Sequence, residues 1–181
     1  MPTMLSHPAV PLALAGIGGK EKVSFPLLVA AIVASILPDA DVLGFKLGIP
    51  YQHWLGHRGF FHSISFAILI GLIGMVFSKA FNRKRLFVFL VLFISAASHG
   101  LLDALTNGGL GIALLSPFSE ERFFFPWQPI AVSPLSIDRF LSPRSWTVLK
   151  SELVWVWVPC LFFGMMGIII RKIQGLKVDS Y

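Results

Sequence analysis

Four short stretches carry side chains able to do chemistry: His7, the run Leu37-Pro38-Asp39-Ala40-Asp41, the run His57-Arg58-Gly59-Phe60-Phe61-His62-Ser63, and the run Ser98-His99-Gly100-Leu101-Leu102-Asp103. Imidazole and carboxylate together form the ligand set that divalent metals such as zinc prefer. The surrounding chain makes them conspicuous. It has 181 residues, 55% hydrophobic and 13% charged, with a mean hydropathy of +0.77. Soluble domains carry about 25% charged residues. Ionisable groups in or beside hydrocarbon are costly, so each is a functional candidate.

His99 and Asp103 are four apart in an apolar run expected to be helical, which sets them on one face, one turn apart. They can share a metal, or the aspartate can orient the imidazole. The bland alternative is an intrahelical hydrogen bond. His57 and His62 are five apart and would not share a helix face. A turn through Gly56 and Gly59 would let both point inward. Arg58 between them has the fork geometry for a phosphate or carboxylate. Pro38 reads as a helix stop, after which Asp39 and Asp41 can converge on an ion in an irregular loop or simply form a turn. His53 has no obvious partner and reads as an interfacial surface residue. His7-Pro8 is either a further ligand or interface decoration.

Five apolar stretches must position these groups: 4–19, 23–37, 60–77, 86–105 and 153–170. Crossing a bilayer takes roughly 20 residues, with about 17 tolerated, so the first two are short. The predicted fold is all-α, an integral membrane bundle forming one domain over residues 1–181. Residues 106–152 hold five prolines with Phe123-Phe124-Phe125-Pro126-Trp127, Trp146, Arg122, Arg139 and Arg144. They are expected to form an extracytoplasmic lid of loops and a short amphipathic helix within that domain.

Basic residues set the orientation. Lys20 and Lys22 follow the first stretch, Lys79, Arg83, Lys84 and Arg85 join the third to the fourth, and Arg171, Lys172 and Lys177 follow the last. With these three clusters cytoplasmic, all four ligand-bearing regions fall on the outer, periplasmic face. The charge rule takes no account of the ligands, so the agreement is informative. It also accounts for the net charge of +6 without a nucleic-acid partner. The single cysteine, Cys160, excludes an internal disulfide and a thiolate cluster. His-Glu-x-x-His, Gly-x-Ser-x-Gly and P-loop signatures are absent. A basic region and an unbroken apolar core are missing from the first stretch, so no cleavable signal peptide is expected.

Seven ligand-type residues exceed what one tetrahedral zinc needs. They would suit more than one divalent metal, an arrangement used in phosphate-ester hydrolysis. An ion path is the competing reading. Against it, only Ser35, Ser65 and Ser95 continue polarity toward the other face, whereas transporters carry polar groups through the midplane. A regulatory membrane protein with a structural metal is the third reading.

Leu-Pro-Asp-x-Asp (37–41), His-Arg-Gly-x-x-His-Ser (57–63), Ser-His-x-x-x-Asp (98–103), Pro-Phe (117–118) and Phe-Phe-Phe-Pro-Trp-x-Pro-Ile (123–130) together resemble the YdjM-type bacterial inner-membrane proteins, over roughly residues 4–135. The resemblance implies a membrane-bound metal-dependent hydrolase, distantly similar to zinc-dependent phospholipase C. It implies His7, Asp39, Asp41, His57, His62, His99 and Asp103 as metal ligands, with zinc the expected metal. Asp39, Asp41 or Asp103 would accept a proton. Arg58, helped by Arg122 or Arg139, would hold a substrate oxygen. A site at helix ends and headgroup depth points to membrane lipid as the environment and a lipid or lipid-linked phosphoester as substrate.

Overall fold

The computed structural model describes residues 1–134 and 143–175. Arg139 and Lys177 lie outside them. Among the described residues the chain is helical, with two isolated β-bridges and no strand. Five apolar helical segments form a bundle. The first is α1 (Ala9–Gly18) and the second α2 (Phe25–Ile36), which runs on into a 3-10 helix (Leu37–Leu47). Then come α3 (Ile64–Val76) and α4 (Arg85–Ala104). The last combines α5 (Arg144–Glu152), a π-helical turn (Leu153–Trp157) and α6 (Val158–Ile173). Three are long and apolar enough to cross a membrane: Phe25–Leu47, Arg85–Ala104 and Arg144–Ile173, with α1 and α3 shorter.

Proline explains two departures from the sequence expectation. Pro38 does not stop the second segment. It has no N–H to offer the carbonyl of Ala34, and the chain tightens into 3-10 turns. This 3-10 run of 11 residues far exceeds the usual three or four. With three residues per turn, Asp39 and Asp41 point a third of a turn apart, so one segment serves two neighbouring places. Pro159 acts similarly in the last segment. Its ring would meet the carbonyl of Trp155, and the π-turn widens the helix there. Residues 144–152 are thus the first turns of the last span rather than part of a separate lid. The lid comprises the ordered loops after α4.

Those loops are pinned by backbone hydrogen bonds. Ile112 and Phe123 exchange a pair at 3.0 and 3.2 Å, Ala113 N–H donates to Arg58 O, and Ile64 N–H donates to Leu114 O. Beneath lies an apolar core including Leu27, Ala31, Ala67, Val88, Val91 and Leu92. Without a hydrophobic drive between helices in lipid, close backbone approach matters, and small residues provide it. α1 meets α6 in this way, Gly16 lying against the backbone of Gly164 and Gly167 against Ile17.

The three basic clusters gather at the bundle end opposite the lid. The Arg83 guanidinium donates to the carbonyls of Lys20 and Lys22 at 2.7 and 2.8 Å, and that of Arg171 to Gly16 and Ile17 at 2.5 and 2.7 Å, closing the C-terminus of α1.

The Gly16–Gly164 crossing is asymmetric. A Cβ at Gly16 would sit 2.8 Å from Gly164 Cα, whereas one at Gly164 would rest 3.5 Å from Ala13 Cα. Gly16→Ala should therefore destabilise the protein by about 1–3 kcal/mol, lowering its melting temperature in detergent. Gly164→Ala should leave it nearly unchanged. Equal effects would refute this packing.

Candidate metal centre

The chemistry-bearing residues meet at the lid end of the bundle. His7 precedes α1, Asp39 and Asp41 project from the 3-10 run, and His57 and Arg58 occupy a turn. His62 ends a short 3-10 turn (Phe60–His62), and His99 and Asp103 share a face of α4. His7, His99 and Asp103 are wholly buried, and none of the other five is more than 6% exposed. His53 remains exposed, as expected; its Nδ1 accepts from Leu55 N–H.

The turn carrying His57 and His62 is built on close backbone approach. A Cβ at Gly56 would run into the carbonyls of Pro50 and Tyr51, and one at Gly59 into that of Trp54. The left-handed residue is Arg58, with φ 65°, a conformation uncommon for a non-glycine residue. Gly100 lets the carbonyl of His62 lie against α4, where a side chain would collide.

The hydrogen bonds fix the imidazole tautomers by chemistry. His99 Nδ1 lies 2.7 Å from Ser35 O, an acceptor only, so Nδ1 carries the proton. His62 Nδ1 lies 3.1 Å from Asp41 Oδ2, and His57 Nδ1 donates to Asp41 Oδ1 at 2.6 Å. In neutral rings the Nε2 of His57 and of His99 is then a lone pair, while His62 Nδ1 is buried without a hydrogen bond. Yet His62 Nε2 and His99 Nε2 face each other at 3.1 Å, and Asp39 Oδ1 lies 3.3 Å from His99 Nε2. Asp103 Oδ2 lies 3.5 Å from His62 Nε2, and His7 Nε2 is 3.9 Å from Asp103 Oδ1 and 4.0 Å from Asp39 Oδ2. Both oxygens of Asp39 and of Asp103, and both nitrogens of His7, are buried without a hydrogen bond.

Each such group costs about 1–3 kcal/mol when left unsatisfied, more if charged. Electron pairs from five residues crowd together there, an arrangement that a cation would relieve. An imidazole whose Nδ1 is held by a carboxylate or carbonyl while Nε2 points inward is the usual arrangement of a metal ligand. The donor set therefore fits a divalent metal. Six of the seven expected ligands fall into two adjoining triads, His7, His99 and Asp103, and Asp39, His57 and His62. Within each, candidate ligand atoms lie within 4.8 Å of one another. Asp41 belongs to neither. Its Oδ1 takes the His57 Nδ1 proton and its Oδ2 the Arg58 N–H at 3.2 Å, with His62 Nδ1 3.1 Å from Oδ2 without a hydrogen bond, so it lies against the imidazoles and outside both triads.

Arg58 differs from expectation in being committed to the protein. Its guanidinium donates to Gly108 O at 2.6 Å and Thr106 Oγ1 at 3.0 Å, and its Nε sits 3.2 Å from Asp103 Oδ2. Arg122 ties loop carbonyls of Tyr51, His53 and His57 together. Partial burial holds its pKa below the ordinary arginine value.

One residue escaped sequence reasoning. Glu152, 2% exposed, accepts from Thr3 N–H at 2.5 Å, Thr3 Oγ1 at 2.6 Å and Ser6 Oγ at 2.5 Å. It anchors the segment that delivers His7. The available signal was an acid at the head of an apolar span, which is functional by default.

An all-helical, membrane-embedded protein with a buried histidine–aspartate centre is the class these features define. The chain belongs to the YdjM inner membrane protein family, whose model matches residues 1–174. It is 46% identical over 169 residues to inner membrane protein YbcI of Escherichia coli (strain K12), covering 92% of this chain and 97% of that protein. No solved structure matches it.

Glu152→Ala should free the first turn. Amide exchange at residues 3–6 should accelerate, and stability should fall by about 1–3 kcal/mol per stranded donor that finds no water. Glu152→Gln, which places an amide donor against donors, should rescue only part. Unchanged exchange in Glu152→Ala would show that the anchor lies elsewhere.

Proposed function

We propose that this protein is a membrane-bound, metal-dependent hydrolase of phosphate esters, acting on a lipid or lipid-linked substrate at the periplasmic face of the inner membrane. The observation that carries the reading is the inward convergence of His62 Nε2 and His99 Nε2 on the unpaired oxygens of Asp39 and Asp103, with His99 Nδ1 bonded to Ser35 O and His62 Nδ1 3.1 Å from Asp41 Oδ2. His7, Asp39, His62, His99 and Asp103 would hold one divalent ion, with zinc suited to the donor set. His57 with Asp39 and His62 offers a place for a second. When bound, such ions polarise a phosphoryl oxygen and lower the pKa of water.

The chain's own groups account for the rest. Asp41 takes the His57 Nδ1 proton, so the Nε2 of that neutral ring stays unprotonated, and it flanks His62 Nδ1 at 3.1 Å. Arg58 balances Asp103 and, through Gly108 and Thr106, ties the lid to the centre. It acts as a positioning residue through its bonds to Gly108 O and Thr106 Oγ1. An oxygen of Asp39 or Asp103 not engaged by an ion is placed to take the proton that water loses on attack. Burial of the whole set keeps bulk water from competing.

The periplasmic placement rests on the basic clusters gathered at the opposite end, which the positive-inside rule puts in the cytoplasm. Ion transport is the weaker reading, because an apolar layer lies between the centre and that end. The serines there satisfy their own helices, Ser35 Oγ donating to Ile32 O and Ser95 Oγ to Val91 O.

Detergent-purified protein should contain divalent metal near one or two ions per chain by elemental analysis, and His62→Ala and Asp103→Ala should lose it while staying helical by circular dichroism. Asp41→Asn should keep the ligands but bind metal about 10–100-fold more weakly. Phosphodiester hydrolysis should disappear with the metal. A wild-type protein that takes up no metal after reconstitution would sink the reading. Metal binding without hydrolysis across a phospholipid screen would reduce it to a structural metal site.

A further inference from the structure

At the end of the bundle opposite the lid, a cavity of about 260 Å³ lies between the last turns of α1 and α6. Its walls divide by chemistry. Ile17 and Ile170, 47% and 45% exposed, give it an apolar side. Lys22, Arg171 and Gln174 give it a side of N–H donors, with Glu21 as its acidic wall residue. Lys20 and Lys172 adjoin these residues in the chain, so the surroundings are cationic. The Arg171 guanidinium is held by two bonds from NH1, to Gly16 O and Ile17 O. A Cβ at Gly19 would lie 2.9 Å from its Cζ, so glycine there lets it close on the end of α1. Donors are left unspent. Nε is buried without a hydrogen bond, and NH2 has no partner among the described residues.

We propose that this cavity binds the phosphodiester of an anionic membrane phospholipid, with Lys22, Arg171 and Gln174 meeting its phosphate oxygens and Ile17 and Ile170 its glycerol and acyl carbons. Three observations select this ligand. The first is charge. Two cations against one carboxylate in the walls favour an anion, and a planar guanidinium suits phosphate oxygens. A partly buried cation with unspent donors is costly, and an anion beside it offsets that cost. The second is depth. Arg171 lies in the last turn of the membrane-length Arg144–Ile173 span and Gln174 directly follows it, where a spanning helix passes from hydrocarbon to headgroups. The third is the divided wall. A soluble anion has no use for the two isoleucines, whereas an amphiphile matches both sides at once. Basic pockets between spans are general places for anionic headgroups. The inference is independent of the hydrolase reading, since none of these residues belongs to the metal centre.

The test is native mass spectrometry of the full chain in detergent, titrated with phosphatidylglycerol, phosphatidylcholine or inorganic phosphate. A single phosphatidylglycerol should bind per chain, several-fold more tightly than phosphatidylcholine. Lys22→Ala should weaken that binding about fivefold, the effect of one basic side chain near an anionic lipid. Arg171→Gln should weaken it too, and because Arg171 also closes the end of α1, Lys22→Ala keeps the test free of that structural role. Lys84→Ala removes the same charge from the same end of the bundle but outside the cavity, and should leave binding unchanged. Equal binding of the two lipids overturns the proposal. So does equal weakening by Lys22→Ala and Lys84→Ala, which would mean diffuse attraction to the whole basic end. Inorganic phosphate that displaces phosphatidylglycerol at equal concentration would assign the cavity to free phosphate and overturn the lipid.

Discussion

Everything at the lid end of this bundle depends on buried electron pairs that lack a partner. Asp39, Asp103 and the Nε2 atoms of His62 and His99 share a volume from which water is excluded. Among the described residues, Arg58 is the permanently charged side chain beside them. In a low-dielectric interior such a group is costly unless a positive charge sits within it. Helices, turn and lid can all be understood as holding these groups in place against that repulsion. Asp41 and the Ser35 carbonyl supply the support from behind, and Arg58 couples it to the loops above.

The support reaches well beyond the site. The 3-10 run exists because Pro38 interrupts the α-helical ladder without ending it, and its threefold turn separates the roles of Asp39 and Asp41. A normal α-helix would rotate those residues by about 200°, turning one of them away from the centre. The left-handed backbone at Arg58 is similarly costly in isolation. It persists here because the residue's N–H, carbonyl and guanidinium are all bonded, to Asp41, Ala113 and the 106–108 loop respectively.

Much of this was legible in the residues themselves. The i, i+4 spacing of His99 and Asp103 does put both on the buried face of α4, and the separation of basic clusters from ligand residues matches the two ends of the bundle. What could not be read came from long-range contacts. Nothing local to Asp41 says that its oxygens will meet His57 and His62 Nδ1 rather than an ion. Nothing near Arg58 says that its fork will be spent on Gly108 and Thr106. The boundary at Pro38 was misjudged because proline breaks one helical hydrogen bond, and packing decides whether the helix then stops or tightens. Glu152 was missed because the last span begins at Arg144, well before its continuous apolar run.

The tie between Glu152 and the Thr3–Ser6 turn joins parts of the chain about 150 residues apart in order of synthesis. His7 precedes α1, but the carboxylate that fixes its segment belongs to the Arg144–Ile173 span, made after the four other segments. The centre therefore cannot be completed during translation of the first four segments. Until the last span has entered the membrane, Asp39, His62, His99 and Asp103 remain an unfinished cup. A product truncated before Arg144 would lack Glu152 and leave the Thr3–Ser6 turn, and with it His7, without its anchor.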